Sequence, residues 1–385
     1  MTAAHYTLWG TPHSLYTGKA RSYLIKKGLP WRERRPAEPH FAAEVLPKVG
    51  MMVIPVLETA EGEVVQENCD IIDLLEARHP EPSLAPPGPV QQVVAHFLDA
   101  FGSNYFLPLA MHYRWSYRAE QELFLRSEFA RVLPRMTSHA ERLELAGKVM
   151  ERFNGFLPNL GVTPEVIPAL EAAWLDMLAV LEAHFREWPY LLGGRPSLAD
   201  FGLMAPLFAH LGRDPVPARL MKTHAPAVFR WTERMNTPGI ADPDFPHVAP
   251  EWPADDALPE TLEAVLKEAF AQWTPGMLAD AAQFDAWLAG LDDPAAGTPV
   301  SHDGRRQVHP HVGRIEYGWR GVTVRRAGHP HSLWHLARAQ DAARALVGED
   351  AARLAAQLDR TGGGELMAVR TSRRIVRADN ILVLA

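Results

Sequence analysis

Residues 51–80, MMVIPVLETAEGEVVQENCDIIDLLEARHP, carry the pattern that decides the fold of the N-terminal part of the chain. MMVIPVLET reads as a strand interrupted by Pro55, and EGEVV as its hairpin partner. From Glu67 onward the apolar residues of NCDIIDLLEARHP recur at helical spacing until Pro80 stops them. Proline inside a buried strand removes a ladder hydrogen bond. One reading is a cis peptide bond between Ile54 and Pro55 that turns the Ile54 backbone outward, where its N–H and C=O pair with an extended peptide ligand. The other is a proline at an edge strand or turn.

Upstream, YTLW (residues 6–9) reads as a short strand and TPHS as a loop. A helix follows from Leu15 and is stopped by Gly28, with Lys26 and Lys27 in the last turn, where cations suit the helix dipole. Trp31 begins a second short strand, and residues 40–48 suggest a short helix. The order strand, helix, strand, helix, strand, strand, helix over residues 1–82 describes a small α/β layer with helices covering a mixed sheet.

Downstream, HPEPSLAPPGP (79–89) is a proline-rich linker. Long amphipathic runs fill residues 90–245, an all-α domain. Within it, GGRPSLADFGLMAPLFAHL (193–211) contains Ser197 three residues before Asp200, a capping box with Asp in place of Glu or Gln. DPDFPHVAPEWPADDALP (242–259) reads as a second linker. Residues 246–385 then offer two helices (ETLEAVLKEAFAQW and PGMLADAAQFDAWLAGL), an irregular stretch, a strand–turn–strand unit over RIEYGWRGVTVRRAG, a helix over SLWHLARAQDAARAL, and strand-like IVRADNILVL. This is a small α+β region.

The whole chain is 385 residues with 47% hydrophobic and 22% charged residues, a globular composition long enough for two or three domains. A formal net charge of -7 gives no reason to expect broad nucleic-acid binding. No apolar run approaches membrane-spanning length, so no membrane partner is expected. The start, MTAAHYTLWG, lacks the basic and apolar regions of a signal peptide, which leaves a cytoplasmic location as the expectation. The single cysteine, Cys69, excludes an internal disulfide and a CxxC centre, and reads as a small buried residue.

Three blocks together resemble the glutathione transferase family: SLYTGKAR (Ser14–Arg21), VIPVLE (53–58) and QENCDIIDLLE (66–76). SLADFGLMAPLFAHL and APAVFRWTERMNTPGI, with Trp231, resemble that family's shared helices. The resemblance implies an α/β thioredoxin-like domain over residues 1–82, an all-α transferase-like domain over 90–245, and a small α+β C-terminal extension over 246–385. It implies glutathione as co-substrate. Ser14 falls where serine-type members hold the glutathione thiolate, and a donated hydrogen bond lowers the thiol's pKa. Tyr16, Thr17 and Tyr6 are alternative hydroxyls. Ile54 and Pro55 would hold the cysteinyl part, and Glu67 and Asn68 the γ-glutamyl end. The family has Ser or Thr where this chain has Asn68, whose plain reading is a helix cap.

In that family the aromatic stretch Tyr105, Phe106, His112, Tyr113 and Trp115 lines the site of a small hydrophobic partner; the plain reading is aromatic core or a dimer contact. A homodimer is also implied. The implied function is an enzyme that activates the glutathione thiol for attack on a hydrophobic electrophile or for glutathione-dependent reduction. The alternative is a non-catalytic binding or protein-interaction module. His302, His309, His311, His329, His331 and His335 cluster in the extension, but without paired Cys or a carboxylate triad no metal is expected. Arg305, Arg306, Arg325, Arg326 and Trp319 read either as a phosphate-binding face or as a solvated surface that pairs with the acidic helices.

Overall fold

A computed structural model describes residues 6–134 and 138–385. The N-terminal layer is built from β1 (Tyr6–Trp9), α1 (Leu15–Lys27), β2 (Trp31–Arg34), a single π turn (Phe41–Val45) running into α2 (Leu46–Val49), β3 (Val56–Glu58), β4 (Val64–Gln66) and α3 (Asn68–Arg78). The strands lie in the order β2-β1-β3-β4. β1 runs parallel to β2 and antiparallel to β3, with Leu8 opposite Leu57. α1 starts at Ser14 and ends on Gly28, whose φ of 70° suits a residue without Cβ. The third strand is shorter than MMVIPVLET suggests: pairing begins only at Val56, after the cis Ile54–Pro55 bond. Proline has no N–H to give the ladder, so the strand starts where donors resume.

Residue alternation divides this sheet between two cores. Trp9 and Val56 pack with Phe41, Val45 and Val49 on one side. Tyr6, Leu8 and Leu57 pack with α1, α3 and the helical domain on the other. The helical domain comprises α4 (Pro89–Asn104), α5 (Leu107–Trp115), α6 (Arg118–Arg131), α7 (His139–Asn154), α8 (Ile167–Glu187), α9 (Leu198–Ala209), α10 (Pro215–His224) and α11 (Pro226–Arg234). α4 and α9 cross at Gly102 and Gly202. A Cβ on Gly102 would overlap the backbone of Gly202, and one on Gly202 the backbone of Asp99. The capping box is present: Asp200 accepts from the Ser197 N–H at 3.0 Å, and its other oxygen accepts from Leu191 N–H and Trp231 Nε1. Their role is to fasten α9, the preceding turn and α11 together.

The extension is less fragmented than the sequence suggests at its start. The two expected helices are one, α12 (Leu262–Ala289), which continues through Pro275. Proline there removes one helical donor, while the preceding Thr274 hydroxyl donates to the Phe270 carbonyl at 2.7 Å and one face of the helix stays buried from Leu262 to Phe284. β5 (Arg314–Trp319) and β6 (Val322–Ala327) form a hairpin turning on Arg320 and Gly321, both at positive φ. α13 (Pro330–Ala345), α14 (Gly348–Thr361) and α15 (Gly364–Ala368) follow, then a second hairpin of β7 (Ile375–Ala378) and β8 (Ile381–Leu384) turning on Asp379 and Asn380. One continuous apolar core runs from Tyr6 to Leu384, so the extension is packed into the rest of the chain. No helix of the described residues is long and apolar enough to cross a membrane.

Candidate functional site

The loop after β1 brings Ser14 to the N-terminus of α1. Its backbone is extended (φ -84°, ψ 123°), and its Oγ accepts the Thr17 backbone N–H at 3.4 Å. That bond spends a lone pair and leaves the hydroxyl proton available to donate. The loop is tight because Gly10 lies against the Thr17 side chain, where any Cβ would overlap it. Thr17 itself is fully buried and accepts from the Thr11 N–H at 3.5 Å. Burial, helped by the charge of Glu67, raises the pKa of Tyr16, so its phenol stays protonated. Tyr6 lies at the far end of β1 from this loop, with its hydroxyl 2.8 Å from His79 Nε2. His13 is not the surface residue a loop histidine suggests. It is buried against Phe129, and its carbonyl accepts from Arg114 at 2.9 Å.

Ile54 and Pro55 precede β3, joined by the cis bond that the interrupted strand suggested. Glu67 joins β4 to α3 and has the left-handed φ of 86°, unusual for a side chain with a Cβ. Such a conformation persists where its surroundings over-determine it. Here Glu67 Oε1 accepts the Asn68 backbone N–H at 2.8 Å, making Glu67 the cap of α3. Asn68 therefore does not act as the cap that its residue type suggests. It is the first helical residue, buried, and its Oδ1 has no hydrogen-bond partner among the described residues.

The second carboxylate oxygen of Glu67 is met by the C-terminal extension. His331 Nε2 and Arg377 Nη1 both lie 3.4 Å from Oε2. Arg377 also donates to Gln66 Oε1 at 2.8 Å and lies 3.4 Å from Asp70 Oδ2, and its guanidinium stands over the Trp334 ring. His331 Nδ1 is 3.0 Å from Asn104 Oδ1. Glu67 is 14% exposed. Burial alone would raise its pKa, but the His331 hydrogen bond and the charges of His331 and Arg377 outweigh it and hold the carboxyl well below its usual range. The extension grips the other flank too: Arg306 and Asn380 both donate to the Val49 carbonyl, just ahead of the Ile54–Pro55 turn.

Behind Glu67 lies a buried charge network. Lys19 of α1 pairs with Asp99 of α4, both 1% exposed. Asp99 Oδ2 also takes His335 Nε2 at 2.9 Å, while the other ring nitrogen of His335 receives Asn104 Nδ2 at 3.1 Å. Cys69 is buried with its sulfur 3.2 Å from His335. Burial, opposed by Asp99, pushes the His335 pKa down to about 4, so His335 is neutral near pH 7. Cys69, Asp99 and His335 are the described residues whose potential ligand atoms lie within 4.8 Å of one another. The Lys19 ammonium already supplies the cation that Asp99 needs, so this donor set does not fit a metal ion well. His302 and His311 instead stack on each other at 4.2 Å.

Phe106, His112, Tyr113 and Trp115 are buried in the helical domain, and Tyr105 is half-buried against Phe101. His112 is held between Ser116 and Glu171. The extension's arginines disperse. Arg326 is buried on Asp280 of α12, Arg325 pairs with Glu316, and Arg306 turns to the α2 end. A cleft of about 510 Å³ opens between α12 and the β5–β6 turn, lined by Glu268, Gln272, Trp319, Arg320 and Val322; of the expected candidates it holds Trp319 alone, without the arginines expected beside it and without any residue expected to bind glutathione or its hydrophobic partner. The sequence drew attention to His331 and His335 only as histidines. Arg377, Asp99 and Asn104 carried no local signal, because their partners lie more than 200 positions away or on another helix.

Residues 8–83 match the family model described as Glutathione S-transferase, N-terminal domain, and residues 164–234 the model for the C-terminal domain. The chain thus carries an N-terminal and a C-terminal domain of the glutathione S-transferase type, over residues 8–83 and 164–234. Among solved structures, it is similar to glutathione transferase GSTFuA3 from Phanerochaete chrysosporium at 18% identity, covering 63% of this chain and 100% of that one, with a TM-score of 0.43. It is similar to a glutathione S-transferase from Methylobacterium radiotolerans in complex with glutathione sulfonate at 19% identity, 65% and 97% coverage and a TM-score of 0.33. It is also similar to maleylacetoacetate isomerase from Anaeromyxobacter dehalogenans with bound dicarboxyethyl glutathione and citrate, at 19% identity, 63% and 97% coverage and a TM-score of 0.33. No curated protein matches the chain. Neither family model reaches the residues beyond 234, so the extension is explained from its own contacts.

Proposed function

We propose that this chain is an enzyme of the glutathione transferase family that binds glutathione and activates its thiol at Ser14. The observation that carries the reading is the bonding of Ser14. Its oxygen is occupied by the Thr17 N–H, so its remaining proton is free to donate to a sulfur. A donor at the N-terminus of α1 stabilises a thiolate over a thiol, and the helix dipole adds to it. The nucleophile is the sulfur of glutathione; Ser14 holds its charge. Residues 1–82 form the glutathione-binding domain, with Ile54 and Pro55 beside the cysteinyl part and Glu67 and Asn68 at the γ-glutamyl end. Residues 90–245 supply the wall for a small hydrophobic electrophile or an oxidised substrate, and of the aromatic stretch Tyr105 is the residue that is not fully buried.

A second reading has an observation of its own. Glu67 is already engaged by His331 and Arg377, as in a chain that keeps the family frame as a non-catalytic module. The pKa of the bound thiol separates the two readings. In the enzyme reading, titrating the thiol of bound glutathione gives a pKa below that of free glutathione, and Ser14→Ala removes most of the difference while leaving binding. A bound thiol that titrates alike in wild type and Ser14→Ala supports the non-catalytic module.

A further inference from the structure

We propose that Arg377 and His331, both from the extension, set the ligand class of this site. They select a thiol peptide that carries no ammonium at its N-terminal end over one that does. The inference rests on the thiol-binding reading above and concerns the γ-glutamyl end of the same site.

The argument is one of charge. A γ-glutamyl ammonium needs an acceptor with an uncompensated negative charge, and Glu67 is the carboxylate placed to serve. In this chain both its oxygens are committed, Oε1 to the Asn68 N–H and Oε2 to His331 and Arg377. Arg377 is well held there, since Gln66, Asp70 and the face of Trp334 fix its guanidinium from three further directions. His331 is held by Asn104, which is fixed in turn by its bonds to the Ala100 carbonyl and to His335. A ligand ammonium at Glu67 must displace the guanidinium or stand beside it, and at short range like charges in a partly buried site repel strongly. The buried Oδ1 of Asn68, without a hydrogen-bond partner among the described residues, is neutral and does not offset a cation, and the Asp70 carboxylate is itself paired with Arg377. A ligand carboxylate meets the opposite situation, with Arg377 and His331 both close at hand.

The test uses two ligands that differ in this one group: reduced glutathione, and glutaryl-cysteinylglycine, which is glutathione without its α-amino group. Each is titrated calorimetrically into the full-length wild type and the Arg377→Gln variant. We expect wild type to bind the des-amino ligand about tenfold more tightly, and Arg377→Gln to reverse or abolish the preference. Wild type preferring glutathione overturns the proposal, and because that comparison needs no variant it holds even if Arg377→Gln fails to fold. A variant that gains the same factor for both ligands also overturns it, since the contact is then a latch that any ligand displaces. If both ligands bind but the preference does not respond to Arg377, only this inference falls. If neither ligand binds either protein, the thiol-site reading falls with it.

Discussion

Replacing Asp99 with Asn tests how the extension is fastened to the family domains. Asp99 is 1% exposed and neutralises Lys19, equally buried. Burial by itself would lower the Lys19 pKa, yet the charge and hydrogen bond of Asp99 raise it. Asn is nearly isosteric, so packing is preserved while the charge is lost. The variant leaves an ammonium in the interior without a counter-ion, and because Lys19 Nζ and His335 Nε2 meet different oxygens of Asp99, the new amide N–H₂ faces one of these donors whichever way it is turned. Breaking a buried ion pair by removing one partner costs about 3–5 kcal/mol, and we expect a loss in that range. The assay is urea unfolding followed by tryptophan fluorescence at pH 7. Replacing the pair together, Lys19→Met with Asp99→Leu, recovers part of the loss. Recovery is incomplete because His335 then lacks an acceptor, worth about 1–3 kcal/mol. A loss below about 1 kcal/mol for Asp99→Asn refutes the reasoning, because the pair would then be solvated or dispensable.

The α4–α9 crossing predicts that Gly202→Ala is destabilising by about 1–3 kcal/mol in the same assay, since the new methyl overlaps the Asp99 backbone; an unchanged midpoint contradicts the crossing. The pH dependence of stability carries a signature of His335, whose folded pKa of about 4 lies below the ordinary 6.5. The unfolded chain therefore binds the proton more readily, and His335 contributes stability above pH 6.5 that is lost as pH falls to 4, about 3 kcal/mol in all. His335→Gln removes that part of the slope, and a variant as steep as wild type between those pH values counts against the assignment. On α12, Asp280→Asn strands the buried Arg326, which holds the β5–β6 hairpin to that helix, and should cost about 3–5 kcal/mol. Hydrogen exchange that leaves residues 314–327 as protected as in wild type speaks against this role.

The N-terminal layer was legible in the sequence because its signals are local. Gly28 stops α1, Ser197 and Asp200 cap α9, and Pro55 marks the break before β3. Helix periodicity likewise located α4, α8 and α9. What stayed hidden depends on distant partners. Pro275 reads as a helix boundary, yet tertiary packing carries α12 through it. α14 is an exception, since Leu354, Gln357 and Thr361 share its buried face and Gly362 stops it, signals as local as those of α1. Asn68 has the chemistry of a cap, but the left-handed Glu67 takes that role, and a backbone conformation is not written in residue type. The residues proposed for the glutathione site, Ser14, Ile54, Pro55, Glu67 and Asn68, all lie within the three family blocks. His331 and Arg377, which meet the Glu67 carboxylate, lie more than 260 positions from it, a separation that no spacing rule spans.

The central claim is that Ser14 stabilises the thiolate of bound glutathione. The most direct measurement is the pKa of the glutathione thiol bound to full-length wild type and to Ser14→Ala, by pH titration of thiolate absorbance at saturating ligand. The account predicts a depressed pKa in wild type that rises by about one unit or more when the hydroxyl is removed. A bound thiol with the same pKa in both proteins, or wild type that fails to bind glutathione at millimolar concentration, contradicts it.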